Sequence, residues 1–259
     1  KGLGKKNCTD KRDSQIQNLK KKFESLGDML KSKLEKIEGI LSASVTSGYG
    51  SKSNPGKSCK YILAANTSAV SGTYWIKPAV STLFQVYCDM KTNGGGWSLV
   101  YSYTFTNYNS FTSGTNAVTP RPNWPVSTAN VPISTTPSVN ESSLGAVDWN
   151  FWKHIGQELM VKSNVNDWIV CQPNGGSLVA KKDGSMSCQN TKNVATACSG
   201  VAPSRIRWNA HGPFLSASSL YYYFDGYTGG DWPTHDPCGK NNGNHKKGVS
   251  NPGGQIYLR

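Results

Sequence analysis

Between Asp13 and Ser44 apolar side chains return every seven residues. Ile16, Phe23, Leu30 and Ile37 take one core position, and Leu19, Leu26 and Ile40 take the other. Lys33 is the only polar residue on that seam before Ser44, and Lys, Glu, Ser and Asp fill the positions between. Alternating three-four spacing over four heptads predicts a coiled coil roughly 45 Å long. Gly27 and Gly39 each cost about 1 kcal/mol against alanine, so the helix is marginal alone and needs partners. Leu34 and Leu41 lie beside the seam and widen the apolar stripe, which favours three strands over two. The alternative is one amphipathic helix packed on its own domain.

The pattern changes after Ser44. Residues 45–56 are rich in Ser and Gly and read as a linker between a stalk, 1–44, and a globular head, 57–259. The head's apolar stretches are short: Tyr61–Ala64, Gly72–Ile76, Phe84–Met90, Trp97–Tyr103, Leu159–Val161, Trp168–Cys171 and Arg205–Trp208. Several alternate or carry β-branched and aromatic residues, with turn residues between them, which predicts strands. A helix is expected around Ser143–Gly156, and residues 104–142, poor in aliphatics, read as a long surface excursion. The fold class expected is α+β and loop-rich, preceded by one long α-helix.

Composition narrows the class. Only 36% of residues are hydrophobic and 17% are charged, a balance typical of loop-rich extracellular folds. No apolar run approaches the ~20 residues that span a bilayer, so membrane insertion is not expected. The start at Lys1, without methionine or a signal-like segment, is read as a processed product. Seven cysteines, Cys8, Cys59, Cys88, Cys171, Cys188, Cys198 and Cys238, are dispersed without zinc-ligand spacing and fit an oxidising compartment. Secretion is therefore expected. Cys8, the odd one, stands just ahead of the stalk and is read as an interchain disulfide; closing a loop within the monomer, or staying free, are the alternatives. Asn7, Asn66 and Asn140 open Asn-x-Ser/Thr sequons and are candidate glycosylation sites. The net charge is +13, of which residues 1–60 hold +8. Outside the cell such a basic arm points to acidic glycans, matrix proteins or mineral-associated polyanions rather than nucleic acid, unless it is simply a solvated helix face.

Two segments carry a family resemblance: Gly72-Thr-Tyr-Trp-Ile-Lys-Pro78 and Val86-Tyr-Cys-Asp-Met-Lys-Thr-Asn-Gly-Gly-Gly-Trp-Ser-Leu-Val100. They resemble the opening of fibrinogen-related domains, and the later part diverges in the manner of intelectins. The resemblance implies a first intrachain disulfide, Cys59 with Cys88, stapling an aromatic strand to the strand Phe84–Met90. It also implies a turn of positive φ at Gly94–Gly96 before Trp97 enters the core. Glu158-Leu-Met-Val-Lys162 with Asn166-Asp-Trp168 is similar to a further strand of that family. The stretch Ser71-Gly-Thr-Tyr-Trp-Ile-Lys-Pro78 is also similar to the C-propeptide of fibrillar collagens, from which Gly94-Gly-Gly-Trp97 points away. Cys171, Cys188, Cys198 and Cys238 permit three pairings, and a tight Cys188–Cys198 loop is among them.

Candidate chemistry concentrates between Tyr221 and His245. Tyr223, Tyr227, Trp232, His235, Asn244 and His245 form a candidate saccharide site, since sugars need flat apolar rings plus fixed polar groups. Asp225, Asp231 and Asp236 are candidate ligands for a calcium ion, the cofactor such a site would take. The same residues also fit a glycine-rich loop whose rings are core and whose aspartates cap turns. Enzyme readings lack support: the four histidines are scattered, and there is no Ser nucleophile elbow, HExxH or phosphate loop. The reading is a non-enzymatic, lectin-like homotrimer. The alternatives are a matrix or mineral-associated protein gripping polyanions through its stalk, or a collagen-propeptide-like trimerisation module.

Overall fold

A computed structural model describes residues 3–46, 48–239 and 243–259, with side chains of the first helix described over 12–38. The side chains of Asn7 and Cys8 lie outside the described residues. Two compact units divide the chain, Lys1–Ser47 and Gly48–Arg259.

The first unit is one helix, α1 (Leu3–Thr46), of 44 residues, roughly 65 Å long at the usual rise. The seam residues whose side chains are described are exposed: Phe23 is 70% exposed and Ile37 60%, and Ile16, Leu19, Leu26 and Leu30 are exposed as well, while the Ile40 and Leu41 side chains lie outside the described residues. A lone helix draws little stability from propensity, so an uncovered stripe of this length calls for a partner.

The second unit is α+β. In order it holds α2 (Cys59–Ala65), β1 (Gly72–Ile76), β2 (Phe84–Asp89), β3 (Trp97–Phe105), β4 (Val118–Thr119), β5 (Arg121–Pro122), β6 (Ile133–Ser134) and β7 (Gly145–Ala146). Then come α3 (Trp149–Ile155), β8 (Leu159–Ser163), β9 (Trp168–Asn174), β10 (Gly184–Lys192), β11 (Arg205–Trp208), β12 (Pro213–Ser216), β13 (Leu220–Tyr223) and β14 (Gly253–Leu258). Among the described residues one sheet of 12 strands runs β1-β2-β3-β14-β8-β9-β10-β11-β12-β13, with β4 and β7 also paired to β3, and β5 and β6 form a separate parallel pair. The last strand thus returns to the centre, between β3 and β8.

β3 organises the core. Trp97, Leu99, Tyr101 and Tyr103 are wholly buried, and the Tyr101 ring meets Trp124 edge-on with centroids 5.6 Å apart. Tyr103 meets Phe224 in the same way at 5.6 Å. Such edge-to-face pairs add about 0.5–1.5 kcal/mol each beyond their buried area. Upstream, Gly94, Gly95 and Gly96 all adopt positive φ (86°, 70° and 75°), as the family motif implies. A Cβ at Gly95 would lie 2.2 Å from the Met90 carbonyl oxygen, so only glycine turns the chain there.

Several expectations are corrected. Tyr61–Ala64 is helical rather than extended, because Cys59 and Ile62 share the inward face of α2 while Lys60 and Tyr61 stay exposed. The expected helix over Ser143–Gly156 shrinks to α3, begun by the Asp148 side chain, which accepts from the Asn150 N–H at 3.0 Å. Residues 104–142 are no surface excursion: Phe111, Val118, Trp124 and Val131 are buried. Residues 48–56 of the expected linker cover β1, with Trp75 donating to Gly50 at 2.7 Å and Lys77 to Gly56 at 2.8 Å. The Cys59–Cys88 disulfide forms, but it ties α2 to β2 rather than β1 to β2. Cys171–Cys188 joins directly paired positions of β9 and β10, and Cys198–Cys238 completes the set, so the tight Cys188–Cys198 loop is not made.

A buried ion pair, extended by the exposed Glu141, ties β8 to β2. Lys162 on β8 reaches Asp89 at 2.6 Å and Glu141 at 2.7 Å, and the Tyr257 hydroxyl also binds Glu141. Burial alone would raise the Asp89 carboxyl, but hydrogen bonds from Lys162, Thr92 and Lys91 hold it down to about 2.

Candidate functional site

The chain leaves β13 through Phe224 and doubles back, so that Tyr223 donates to Thr234 at 2.7 Å and Asp236 to Tyr221 at 2.9 Å. The loop between is pinned on both sides. Val118 donates to the Asp225 carbonyl at 2.7 Å, Gly226 donates to the His211 carbonyl at 3.1 Å, and Asn130 and Thr228 exchange side-chain bonds at 2.8 and 2.9 Å. A glycine-rich stretch that reads as loose in sequence is therefore fixed by backbone bonds to two other loops.

Asp225 sits at the base of this loop, fully buried. Its Oδ1 accepts from the Tyr227 N–H at 2.9 Å, whereas its Oδ2 has no hydrogen-bond partner among the described residues. His211, from the turn between β11 and β12, places Nδ1 3.7 Å from Asp225 Oδ1 and 3.7 Å from Asp231 Oδ2. These separations exceed hydrogen-bond length, and His211 Nδ1 is likewise buried without a partner. Burial, with a smaller contribution from the Asp231 charge, pushes the Asp225 carboxyl up to about 7. The Tyr227 ring lies against His211, centroids 4.9 Å apart. Asp231 is exposed, and with Trp232, Tyr223, Leu220 and Thr234 it lines a small cleft of about 80 Å³. The Tyr223 hydroxyl accepts from Asn209 Nδ2 at 2.5 Å and lies 3.4 Å from Asp231 Oδ2.

The expected residues thus separate into groups. Asp225, Asp231 and Tyr227 meet around His211, and Tyr223 and Trp232 line a cleft with Asp231. His235 goes to the core instead: it is fully buried among Tyr103, Phe105, Phe111, Tyr222 and Phe224. Its Nδ1 lies 2.9 Å from the Thr234 carbonyl, which can only accept, so Nδ1 carries the proton and Nε2 accepts from the Tyr103 hydroxyl at 2.9 Å. Desolvation lowers its pKa to about 3, which keeps the ring neutral. His245 is also buried, on the Phe111 ring at 3.8 Å between centroids, with the Lys247 ammonium 2.9 Å from Nε2. Desolvation and then Lys247 lower it to about 4. Asn244 Nδ2 donates to Asp236 Oδ1 at 3.4 Å, and Asp236 also accepts from the Cys238 N–H at 2.8 Å.

Calcium demands six to eight oxygen ligands. Asp225 and Asp231 face an imidazole rather than a ring of oxygens, and no group of three or more His, Cys, Asp or Glu gathers to hold a metal among the described residues. The set does not fit calcium. Sequence reasoning missed His211 and Asn209; both lie in the Asn209-Ala-His-Gly212 turn, and only the pairing of β11 with β12 brings them here. Asn66 and Asn140 are exposed. Asn66 accepts from the Ser68 N–H at 3.1 Å, and Asn140 accepts from the Ser142 N–H and hydroxyl at 3.0 and 2.8 Å.

A family model described as the fibrillar collagen C-terminal domain matches residues 25–119. Among solved structures the chain is similar to the fibrinogen-like globe domain of human ANGPTL6, at 11% identity and TM-score 0.39 over 80% of this chain and 96% of that one. The corresponding domain of human ANGPTL2 follows at 14% identity and TM-score 0.36, covering 79% and 99%. Lamprey fibrin D-dimer, solved with the peptide ligand Gly-His-Arg-Pro-amide, gives 12% identity and TM-score 0.30, covering 83% of this chain and 57% of that one. In its opening motifs the chain resembles fibrinogen-related domains.

Proposed function

We propose that this chain is a secreted, non-enzymatic binding protein that presents lectin-like heads on a homotrimeric α1 stalk. One observation carries the ligand reading: the exposed Asp231 carboxylate and the Trp232 ring line one cleft with Tyr223, beside the buried His211. A sugar hydroxyl can donate to the exposed Asp231 carboxylate, while the Trp232 ring in the same cleft offers a flat face to C–H groups. Each site can be weak, because linked heads gain avidity through effective concentration. Three disulfides support an oxidising, extracellular setting, and among the described residues no helix is long and apolar enough to cross a membrane. Glycans at Asn66 and Asn140 belong to the same reading.

The test is a glycan array probed with the intact chain, in calcium and again in chelator. Binding of neutral saccharides that survives chelation and is lost in Asp231→Ala and Trp232→Ala is the expected result. Loss on chelation would restore a calcium-assisted mechanism. Unchanged binding in both variants would remove the site.

The competing reading, a matrix or mineral-associated protein, rests on the +8 carried by residues 1–60. It predicts salt-sensitive binding to polyanions that these loop variants leave untouched. A propeptide-like trimerisation module would instead require proteolytic release of the head during assembly.

A further inference from the structure

Two clefts in the globular unit share Asn164 as a common wall. The larger, about 630 Å³, is polar and is lined by Ser102, Thr104, Glu141 and Gln255 among others. The smaller, about 310 Å³, is walled by Trp168, Lys192 and Lys246. Both volumes fall in the range of ligand sites, about 300–1,000 Å³. Asn164 is held rigidly, its Nδ2 donating to the Asn251 carbonyl at 2.6 Å and its Oδ1 accepting from the Gly253 N–H at 2.9 Å.

The smaller cleft is basic and its backbone is fixed. Lys246 donates its N–H to the Val165 carbonyl at 2.8 Å. Lys192 leads into a loop that Asp167 pins, accepting from Val194 and Ala195 N–H at 2.6 and 2.9 Å and from Asn190 Nδ2 at 3.1 Å. Those bonds occupy both oxygens of the buried Asp167 carboxylate. The Lys192 ammonium stands 4.2 Å from the centroid of the Trp168 ring. Lys162 also approaches that ring, at 5.1 Å, but its charge is taken by Asp89 and Glu141. Among the described residues neither Lys192 nor Lys246 enters an ion pair.

We propose that this basic cleft binds an acidic saccharide. Its sulfate or carboxylate lies between Lys192 and Lys246, its sugar ring lies beside the Lys192–Trp168 pair, and the chain continues past Asn164 into the larger cleft. There, hydroxyls and the Gln255 amide face neutral sugar units, and the Glu141 carboxylate disfavours a second anion. The site is separate from the Asp225 loop and from the basic stalk.

Calorimetric titration of the intact chain tests this with three probes: a heparin-derived tetrasaccharide, the same tetrasaccharide desulfated but retaining its uronates, and neutral chitotetraose. The parent protein should bind one or both acidic probes, and in the Trp232→Ala background the neutral probe should not bind; the desulfated arm tells sulfate from carboxylate. Lys192→Gln with Lys246→Gln should weaken acidic binding at least tenfold at an unchanged melting temperature. Lys20→Gln, Lys21→Gln and Lys22→Gln on α1 should leave it within twofold, and so should Trp232→Ala, which separates this outcome from the fate of the Asp225 site. Full-strength acidic binding in the double variant, loss in the α1 variant, equal binding of chitotetraose in the Trp232→Ala background, or no acidic binding by the parent would each overturn the proposal.

Discussion

The helix and the globe spend their apolar residues in opposite ways. In α1, Phe23, Leu30 and Ile37 recur on a strict seven-residue period and remain exposed within the chain. In the globe, Trp97, Tyr101, Tyr103 and Tyr257 follow no long period and are wholly buried. A region with its own core can fold by itself, whereas a region with only a seam must find its core on another copy. The contrast is the basis for proposing self-association through one part and recognition through the other.

The contrast breaks most severely in the core of the globe. Trp97→Ala should cost about 3–5 kcal/mol, because it removes a buried indole beneath the Arg259 guanidinium, 4.2 Å from its ring. Thermal melts should show the globe's transition fall while the helical signal of α1 persists. Lys162→Ala comes next, at about 3 kcal/mol, since it leaves the buried Asp89 carboxylate without its cation. Restoration of much of that loss by adding Asp89→Asn would show that the unpaired charge, rather than lost packing, is responsible.

Acid sharpens the comparison more gently. His235 and His245 have pKa values lowered to about 3 and about 4, so below pH 6.5 the unfolded chain takes up protons that the folded one refuses. Asp225, raised to about 7, works the other way: its contribution is full below the ordinary carboxylate range and is lost as pH rises through 7. Between pH 6 and 4.5 the balance is one proton, so the globe should lose about 1.4 kcal/mol per pH unit. Urea titrations at stepped pH would measure this, and Asp225→Asn should roughly double the slope. Asp89 adds a further loss only below about pH 4, as pH falls toward its value of about 2. The stalk has no buried titrating group among its described side chains, so it should not share this acid response.

What the sequence disclosed follows the same division. The heptads of α1 and the strands β1, β2 and β3 were legible because their apolar spacing or motif is explicit. β14 was not. It runs between β3 and β8, where a Cβ at Gly254 would lie 2.6 Å from the Lys162 carbonyl oxygen, so the fold requires glycines that read as loop. β10, Gly-Ser-Met-Ser-Cys-Gln-Asn-Thr-Lys, is too polar and exposed to announce itself. Of the candidate site, the residues close in sequence came together, while His211 arrived from another strand pair. His235 and His245, chosen for their chemistry, went to the interior because aromatic neighbours and a carbonyl or ammonium partner satisfied them there.

The smallest effect concerns the helix alone. Gly27 has no neighbouring atom that a Cβ would meet within 4 Å, so nothing in the chain requires glycine there. Gly27→Ala should stabilise α1 by about 1 kcal/mol per copy, read as a higher melting temperature of its circular dichroism signal, with the globe unmoved.

The most direct test of the account is the mass of the intact chain in solution by light scattering, beside that of Leu26→Pro. Proline in the middle of α1 removes a backbone donor and breaks the seam. A homotrimer gives three times the chain mass for the parent, and a single chain with an intact globe melting transition for the variant. A parent that stays monomeric, or a variant that keeps the parent's mass, would contradict it.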